Sequence, residues 1–196
     1  MTAEATDNII IGISGASGVA IGVRVLELLQ TTRITTHLVM SKSAELTLSL
    51  ETDLKADDIK KLADHVHPIG DVGATIASGS FKTMGMLIAP CSIRTMGEVV
   101  TGITSSLLTR AADVCLKERR KLVMMVRETP LHLGHLRSMT AATEMGAIIM
   151  PPVPAYYAKP STVDDITTQT AARALDMFDI NAPALHRWQG TAAEKR

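Results

Sequence analysis

Cysteine is almost missing from this chain: Cys91 and Cys115 are the only two in 196 residues. That excludes a disulfide framework and a cysteine zinc site, and it suits a reducing cytosol. An excess of one charge is missing as well, since 20 Lys and Arg balance 20 Asp and Glu. A chain with no basic excess is a poor partner for nucleic acid, and one with little self-repulsion is open to self-association. No apolar run approaches the ~20 residues of a membrane span, and the opening MTAEATDN is polar and acidic, unlike a secretory signal. Aromatics make up only 3% of the residues against 11 methionines, so the core must be aliphatic. The six histidines are scattered without a metal-ligand spacing, and His65 and His67 fall in a loop-like stretch; no metal site is expected. Two phosphate fingerprints are also absent. There is no G-x-x-x-x-G-K-[ST] and no G-x-G-x-x-G, which argues against ATP and NAD and for a mononucleotide such as FMN.

What is present is an alternation of strand-like and helix-like segments. Strands are predicted at Asn8–Gly12, Thr36–Ser41, Gly85–Ala89 (stopped by Pro90), Lys121–Val126 and Ala147–Met150. Helices are predicted at Val19–Leu29, Ala44–Leu50, Ala56–Val66, Leu133–Met145 and Thr162–Met177. A further long helix runs from Met96 to Val114, bent near Gly102. Strands this uniformly apolar belong in a parallel sheet covered on both faces. The fold class is therefore α/β: a doubly wound, mainly parallel, three-layer sheet of the Rossmann or flavodoxin-like kind. With no repeat and no linker, residues 1–196 read as one domain, with polar tails at 1–7 and 189–196.

In such sheets ligands sit at the carboxyl ends of the strands. Small and polar groups collect there: GISGASG at Gly12–Gly18, Ser41, PCSIRT at Pro90–Thr95, RETP at Arg127–Pro130 and PPVPAYY at Pro151–Tyr157. The GISGASG loop opens a helix whose free N–H groups favour an anion, although a plain strand-to-helix turn has the same composition. Ser92, Arg94 and Thr95 stand at a second helix start, where simple capping explains the hydroxyls equally well. Two such starts facing one crevice favour a phosphate ester. Glu128 beside a bound phosphate could shuttle a proton. Arg110, Asp113 and Lys117 share a helical face; by spacing alone, a solvated charged stripe is the better reading.

Taken in order, these segments resemble the UbiX-type flavin prenyltransferases, within the homo-oligomeric flavin-containing cysteine decarboxylase superfamily. The resemblance runs from about Ile9 to Trp188. It is carried by GISGASG, SKSAELTLSLETD (Ser41–Asp53), ASGSF (Ala77–Phe81), APCSIRT, RAADVCLKERRKLVMMVRETP (Arg110–Pro130) and PPVPAYY. The RWQG ending at Arg187–Gly190 is similar to members associated with aromatic or phenolic acid decarboxylases. Met84 stands where some members carry a polar residue, and Arg137 and Ser138 stand at positions that others fill with an acid and an amide.

The resemblance implies transfer of a dimethylallyl group from dimethylallyl monophosphate to reduced FMN, without a metal, to make the prenylated cofactor of UbiD-type decarboxylases. It also implies a homo-oligomer, a dodecamer, while the cysteine usage points to the cytoplasm. By position it assigns FMN contacts to Gly15, Ala16, Ser17, Ser41, Ser92, Ile93, Arg94, Thr95 and Arg127, with Ser17 near the reacting centre. It assigns the prenyl phosphate to Tyr157 and Arg173, with Arg110, Lys117 and Glu128 around it, some across subunit interfaces. Glu51 becomes an acid of the catalytic site, and the Arg110–Lys117 stripe becomes functional on this ground alone. Two other readings stay open: an FMN-dependent cysteine decarboxylase, whose Pro-Ala-Ser-Ala-Asn-Thr and Pro-x-Met-Asn segments are absent, and a non-catalytic flavin carrier in a decarboxylase complex.

Overall fold

In the computed structural model, residues 7–190 are described. Isoleucine and its neighbours dominate the first strand, β1 (Asn8–Ile13), which is buried almost throughout. The strands that follow are β2 (Thr35–Met40), β3 (His65–His67), β4 (Gly85–Cys91), β5 (Lys121–Val126) and β6 (Ile148–Ile149). They pair in the order β3-β2-β1-β4-β5-β6, and every pairing is parallel. The helices are α1 (Val19–Leu29), α2 (Lys42–Glu51), α3 (Ala56–Lys60), α4 (Ile93–Thr101), α5 (Leu107–Lys117), α6 (Leu133–Glu144) and α7 (Val163–Asp176).

Successive side chains along a strand point to opposite faces, and the core divides accordingly. Ile9, Ile11 and Ile13 join Val19, Leu26, Ala171 and Leu175 of α1 and α7. Ile10, Met86 and Ile88 join Met96, Leu108 and Ala112 of α4 and α5. The expected α/β architecture, with a layer of helices on each face, is the one observed.

Three expectations need correction. The helix expected over Ala56–Val66 ends at Lys60, and the edge strand β3 follows it. Its histidines therefore lie in a strand, whose HVH pattern is too short and too polar to read as one. The strand expected to stop at Pro90 reaches Cys91. Proline cannot donate to the ladder, and the register with β5 shifts between Ile88 and Cys91. The long helix is two helices. Gly102 ends α4 in the left-handed region (φ 70), and Ser106 starts α5 with a capping box closed by Thr109. A bend would have kept Ser106 inside a helix; the break turns it into an N-cap.

The β3 edge is held by imidazoles. His37 of β2 is 4% exposed, stacks on His65 with ring centroids 4.7 Å apart, and shares a hydrogen bond of 3.0 Å with His67. Its other ring nitrogen meets Asn8 at 3.2 Å, and the edge of Phe81 closes the cluster. Burial, then the neighbouring His65 and His67, lower the His37 pKa from 6.5 to about 4 against the opposing charge of Asp64. A base whose folded pKa is depressed resists protonation only while folded. Its contribution to stability is whole above 6.5 and declines as the pH falls towards about 4. Urea unfolding across this range should show that loss in the parent, and His37→Gln should flatten it.

Candidate functional site

The strand order reverses between β1 and β4, two neighbours with separate chain connections, and this opens a crevice above their carboxyl ends. Ser14 ties the two ends together. Its buried hydroxyl donates to the Pro90 carbonyl at 2.9 Å and accepts the Ser92 amide at 2.7 Å. The Ser14 amide donates to the same carbonyl. The GISGASG loop and the PCSIRT turn are thus fixed to each other before either meets a ligand.

Beside them lies a cleft of about 420 Å³ lined by Gly15, Ser41, Ser92, Arg94, Thr95, Ser106 and Thr109, among others. Three helix N-termini border it. Ser41 caps α2, Ser92 caps α4 and Ser106 caps α5, each accepting from the amide three residues on. Helix starts carry unpaired N–H groups and the positive end of the dipole, so the cleft favours an anion. Gly15 packs against α2 so closely that a Cβ there would come within 2.3 Å of Ser43 Cβ. Arg94 is mostly exposed and pairs with Glu98 at 2.9 Å, while Thr95 is buried against Ser92. Ile93 begins α4 and packs on the core beneath it. Five residues of the expected flavin set therefore meet at one cleft: Gly15, Ser41, Ser92, Arg94 and Thr95.

The start of α1 is different. The N–H groups that GISGASG was read as offering to a phosphate already face an anion within the chain. Glu51, the last residue of α2, accepts from the amides of Gly18 at 2.9 Å and Val19 at 3.1 Å. Burial opposes its ionisation, but hydrogen bonds from the Ser17 side chain and these amides, with the nearby charge of Arg127, hold the carboxyl below its usual range. Ser17, Glu51 and Arg127 thus form a connected group next to Ala16, which is buried in the same loop. The Arg127 amide donates to Cys91 across the β4–β5 ends. Glu128 is exposed and accepts from the Thr129 amide. Burial pushes both Cys91 and Cys115 up to about 12, so neither thiol is available as a nucleophile.

The remaining candidates do not converge within one copy of the chain. Arg110 donates to the Ala77 carbonyl and pairs with Asp113 at 2.7 Å, and Lys117 pairs with Glu118. Both lie on α5, in one helix layer. Arg173 lies on α7, in the layer across the sheet, paired with Asp176 at 2.9 Å. Tyr157 follows β6 in a short 3-10 turn, 42% exposed, its ring set edge-on to Trp188 at 5.9 Å. Among the described residues, no group of three or more His, Cys, Asp or Glu is placed for a metal ion, and no helix is long and apolar enough to cross a membrane.

Several site residues escape sequence reasoning. Ser106 and Thr109 are hidden by reading α4 and α5 as continuous; the signal was Gly102 followed by two serines. Lys42 and Ser43 border the cleft only because α2 starts two residues earlier than its apolar pattern suggests.

Comparison with known proteins matches residues 2–175 to the Flavoprotein family. The flavin prenyltransferase UbiX of Thauera aromatica is 57% identical over 93% of this chain and 94% of its own. The chain belongs to the UbiX flavin prenyltransferase family. Two solved UbiX-type structures superpose closely. One is AnUbiX (PadA1) in complex with FMN and dimethylallyl pyrophosphate, with a TM-score of 0.92 and 45% identity over 93% of this chain and 97% of that one. The other is a dodecameric FMN-dependent UbiX-like decarboxylase from Escherichia coli O157:H7, with a TM-score of 0.91 and 47% identity over 93% of this chain and all of that one.

In this UbiX-family chain the Ser14 bridge generates a clear expectation. Ser14→Ala removes one small buried group and leaves the Ser92 amide without its partner, while the Pro90 carbonyl keeps only the Ser14 amide. Such a loss costs roughly 1–3 kcal/mol, and urea unfolding should show a lower midpoint with an unchanged slope.

Proposed function

We propose that this chain joins a dimethylallyl group from dimethylallyl monophosphate to reduced FMN, at N5 and then C6, making prenylated FMN for a UbiD-type decarboxylase. The observation that carries the reading is the cleft at the strand-order reversal, bordered by the capped starts of α2, α4 and α5, in a member of a flavin prenyltransferase family. Its groups suit a phosphate monoester: the hydroxyls of Ser41, Ser92 and Thr95 and the Arg94 guanidinium. Gly15, Ala16, Ser17, Ile93 and Arg127 complete the flavin contacts. Reduced FMN supplies the nucleophilic ring atoms and an electron-rich face.

The chain's own residues then have distinct tasks. Glu51 is kept ionised and hydrogen-bonded to Ser17, and the pair takes the proton leaving N5. Tyr157 and Arg173 bind the donor phosphate. Arg110 and Lys117 add positive charge where the allylic C–O bond breaks and the phosphate gains charge. Glu128 is the exposed acid or base beside them. Since Arg110 and Lys117 lie across the sheet from Arg173, the full set forms between copies. The functional unit is a homo-oligomer, and the dodecamer of the E. coli O157:H7 relative is its proposed form.

Anaerobic incubation with reduced FMN and dimethylallyl monophosphate should give a flavin heavier by one prenyl unit on mass analysis. Flavin mass unchanged after prolonged incubation would count against the activity. For the donor contact, Tyr157→Phe removes one oxygen and leaves the ring packing against Trp188. Losing a hydrogen bond to a charged acceptor costs about 1.5–3 kcal/mol, so prenylation should slow by roughly 10- to 150-fold at limiting donor with FMN affinity unchanged. Tyr156→Phe, at the more exposed neighbour, should be mild; the reverse ranking would move the donor contact to Tyr156.

A further inference from the structure

Arg173 is exposed but not unpaired. Its guanidinium donates to Asp176 Oδ2 at 2.9 Å, one helical turn on. Arg187 reaches the same carboxylate from the segment after α7, donating to Oδ2 at 3.1 Å and also to Oδ1. One carboxylate thus holds two guanidiniums, with a bidentate grip on the second. The two arginines lower the Asp176 pKa, Arg187 foremost.

The segment that brings Arg187 back is itself clipped to α7. Phe178, Ile180 and Ala182 anchor its start in the core, after Asp179 turns the chain in the left-handed region (φ 63). Further on, Gln169 of α7, 6% exposed, exchanges two hydrogen bonds of 2.8 Å with the backbone of His186. An amide side chain using both its donor and its acceptor on one residue fixes register as a strand partner would. The result is a pocket of about 250 Å³ between this segment and the 3-10 turn, lined by Tyr157, His186, Arg187 and Trp188 among others.

We infer that Asp176 is the positioning residue of the prenyl-donor site: it sets Arg173 and Arg187 side by side and holds residues 185–188 as the wall facing Tyr157. The inference rests on the assignment of Tyr157 and Arg173 to the donor phosphate. The pair of arginines on one carboxylate keeps a positive charge in excess, which a phosphate dianion can take up without either guanidinium having to search for its rotamer. Arg187 becomes a specificity residue for the donor's anionic end. Asp176 itself touches no substrate.

Two readouts test this, one of them independent of turnover. Trp188 is the only tryptophan, so its fluorescence reports the wall directly. In the full chain, Asp176→Asn should make Trp188 more accessible to acrylamide quenching. It should also raise the KM for dimethylallyl monophosphate by about 10-fold or more, with kcat and FMN affinity held. Arg187→Ala, at an exposed position, should reproduce both effects and serves if the first variant fails to fold. If either readout matches the parent in both variants, the proposal is overturned. A parent that prenylates no flavin strikes the functional reading instead, and the Trp188 comparison still decides whether Asp176 holds the wall.

Discussion

The Ser14 hydroxyl is the small interaction on which the site depends. It sits where the strand order reverses, between two strands that the chain reaches by separate routes. By donating to Pro90 and accepting from Ser92, it joins the end of β1 to the start of α4. Without that link the GISGASG loop and the PCSIRT turn would be joined there by the Ser14 amide alone, and the Ser92 amide would have no partner. With it, the cleft geometry is set during folding, and binding need not meet the cost of ordering two loops. A buried hydroxyl with both its roles filled by main chain is also hard to replace, since an apolar side chain leaves the Ser92 amide unpaired and the Pro90 carbonyl with the Ser14 amide alone.

Fixing the loops does not decide where an anion sits; that follows from which helix starts are already satisfied. Glu51 answers the N–H groups of α1 from within the chain. This removes the most obvious phosphate position and leaves the starts of α2, α4 and α5 for the cleft. The same contact makes Glu51 a carboxylate kept ionised at the edge of the site. One interaction thereby occupies the first amides of α1 and holds a carboxylate beside Ser17.

The sheet is legible in the sequence because its strands are short apolar runs at regular intervals, and Lys121–Val126 and Val19–Leu29 are bounded as predicted. The edge strand β3 is not legible, because His65 and His67 gain strand character only from pairing with β2 and from the His37 ring. The cleft was half legible. Ser41, Ser92 and Thr95 announce themselves as polar residues after apolar strands. Ser106 does not, since hydrophobic periodicity runs across Gly102 and hides a change of direction that costs the pattern nothing. The roles proposed for Arg110, Lys117 and Arg173 are not in any local pattern. Their spacing is that of a solvated face, and one copy of the chain leaves them in separate layers.

Those cations share one arrangement that helps explain how they could act together. Arg94, Arg110, Lys117 and Arg173 each rest on a carboxylate close by: Glu98, Asp113, Glu118 and Asp176. Exposed ion pairs of this kind are worth about 0–1 kcal/mol, so they restrain a side chain without trapping it. A phosphate carries more charge than any one of these partners and offers several acceptor oxygens at once. It can therefore share a guanidinium with its resting partner at small cost. The carboxylates also keep the chain neutral when no phosphate is present, which favours close packing of identical copies over mutual repulsion. Charge neutrality and the proposed phosphate-binding role are compatible because each of these cations is paired locally.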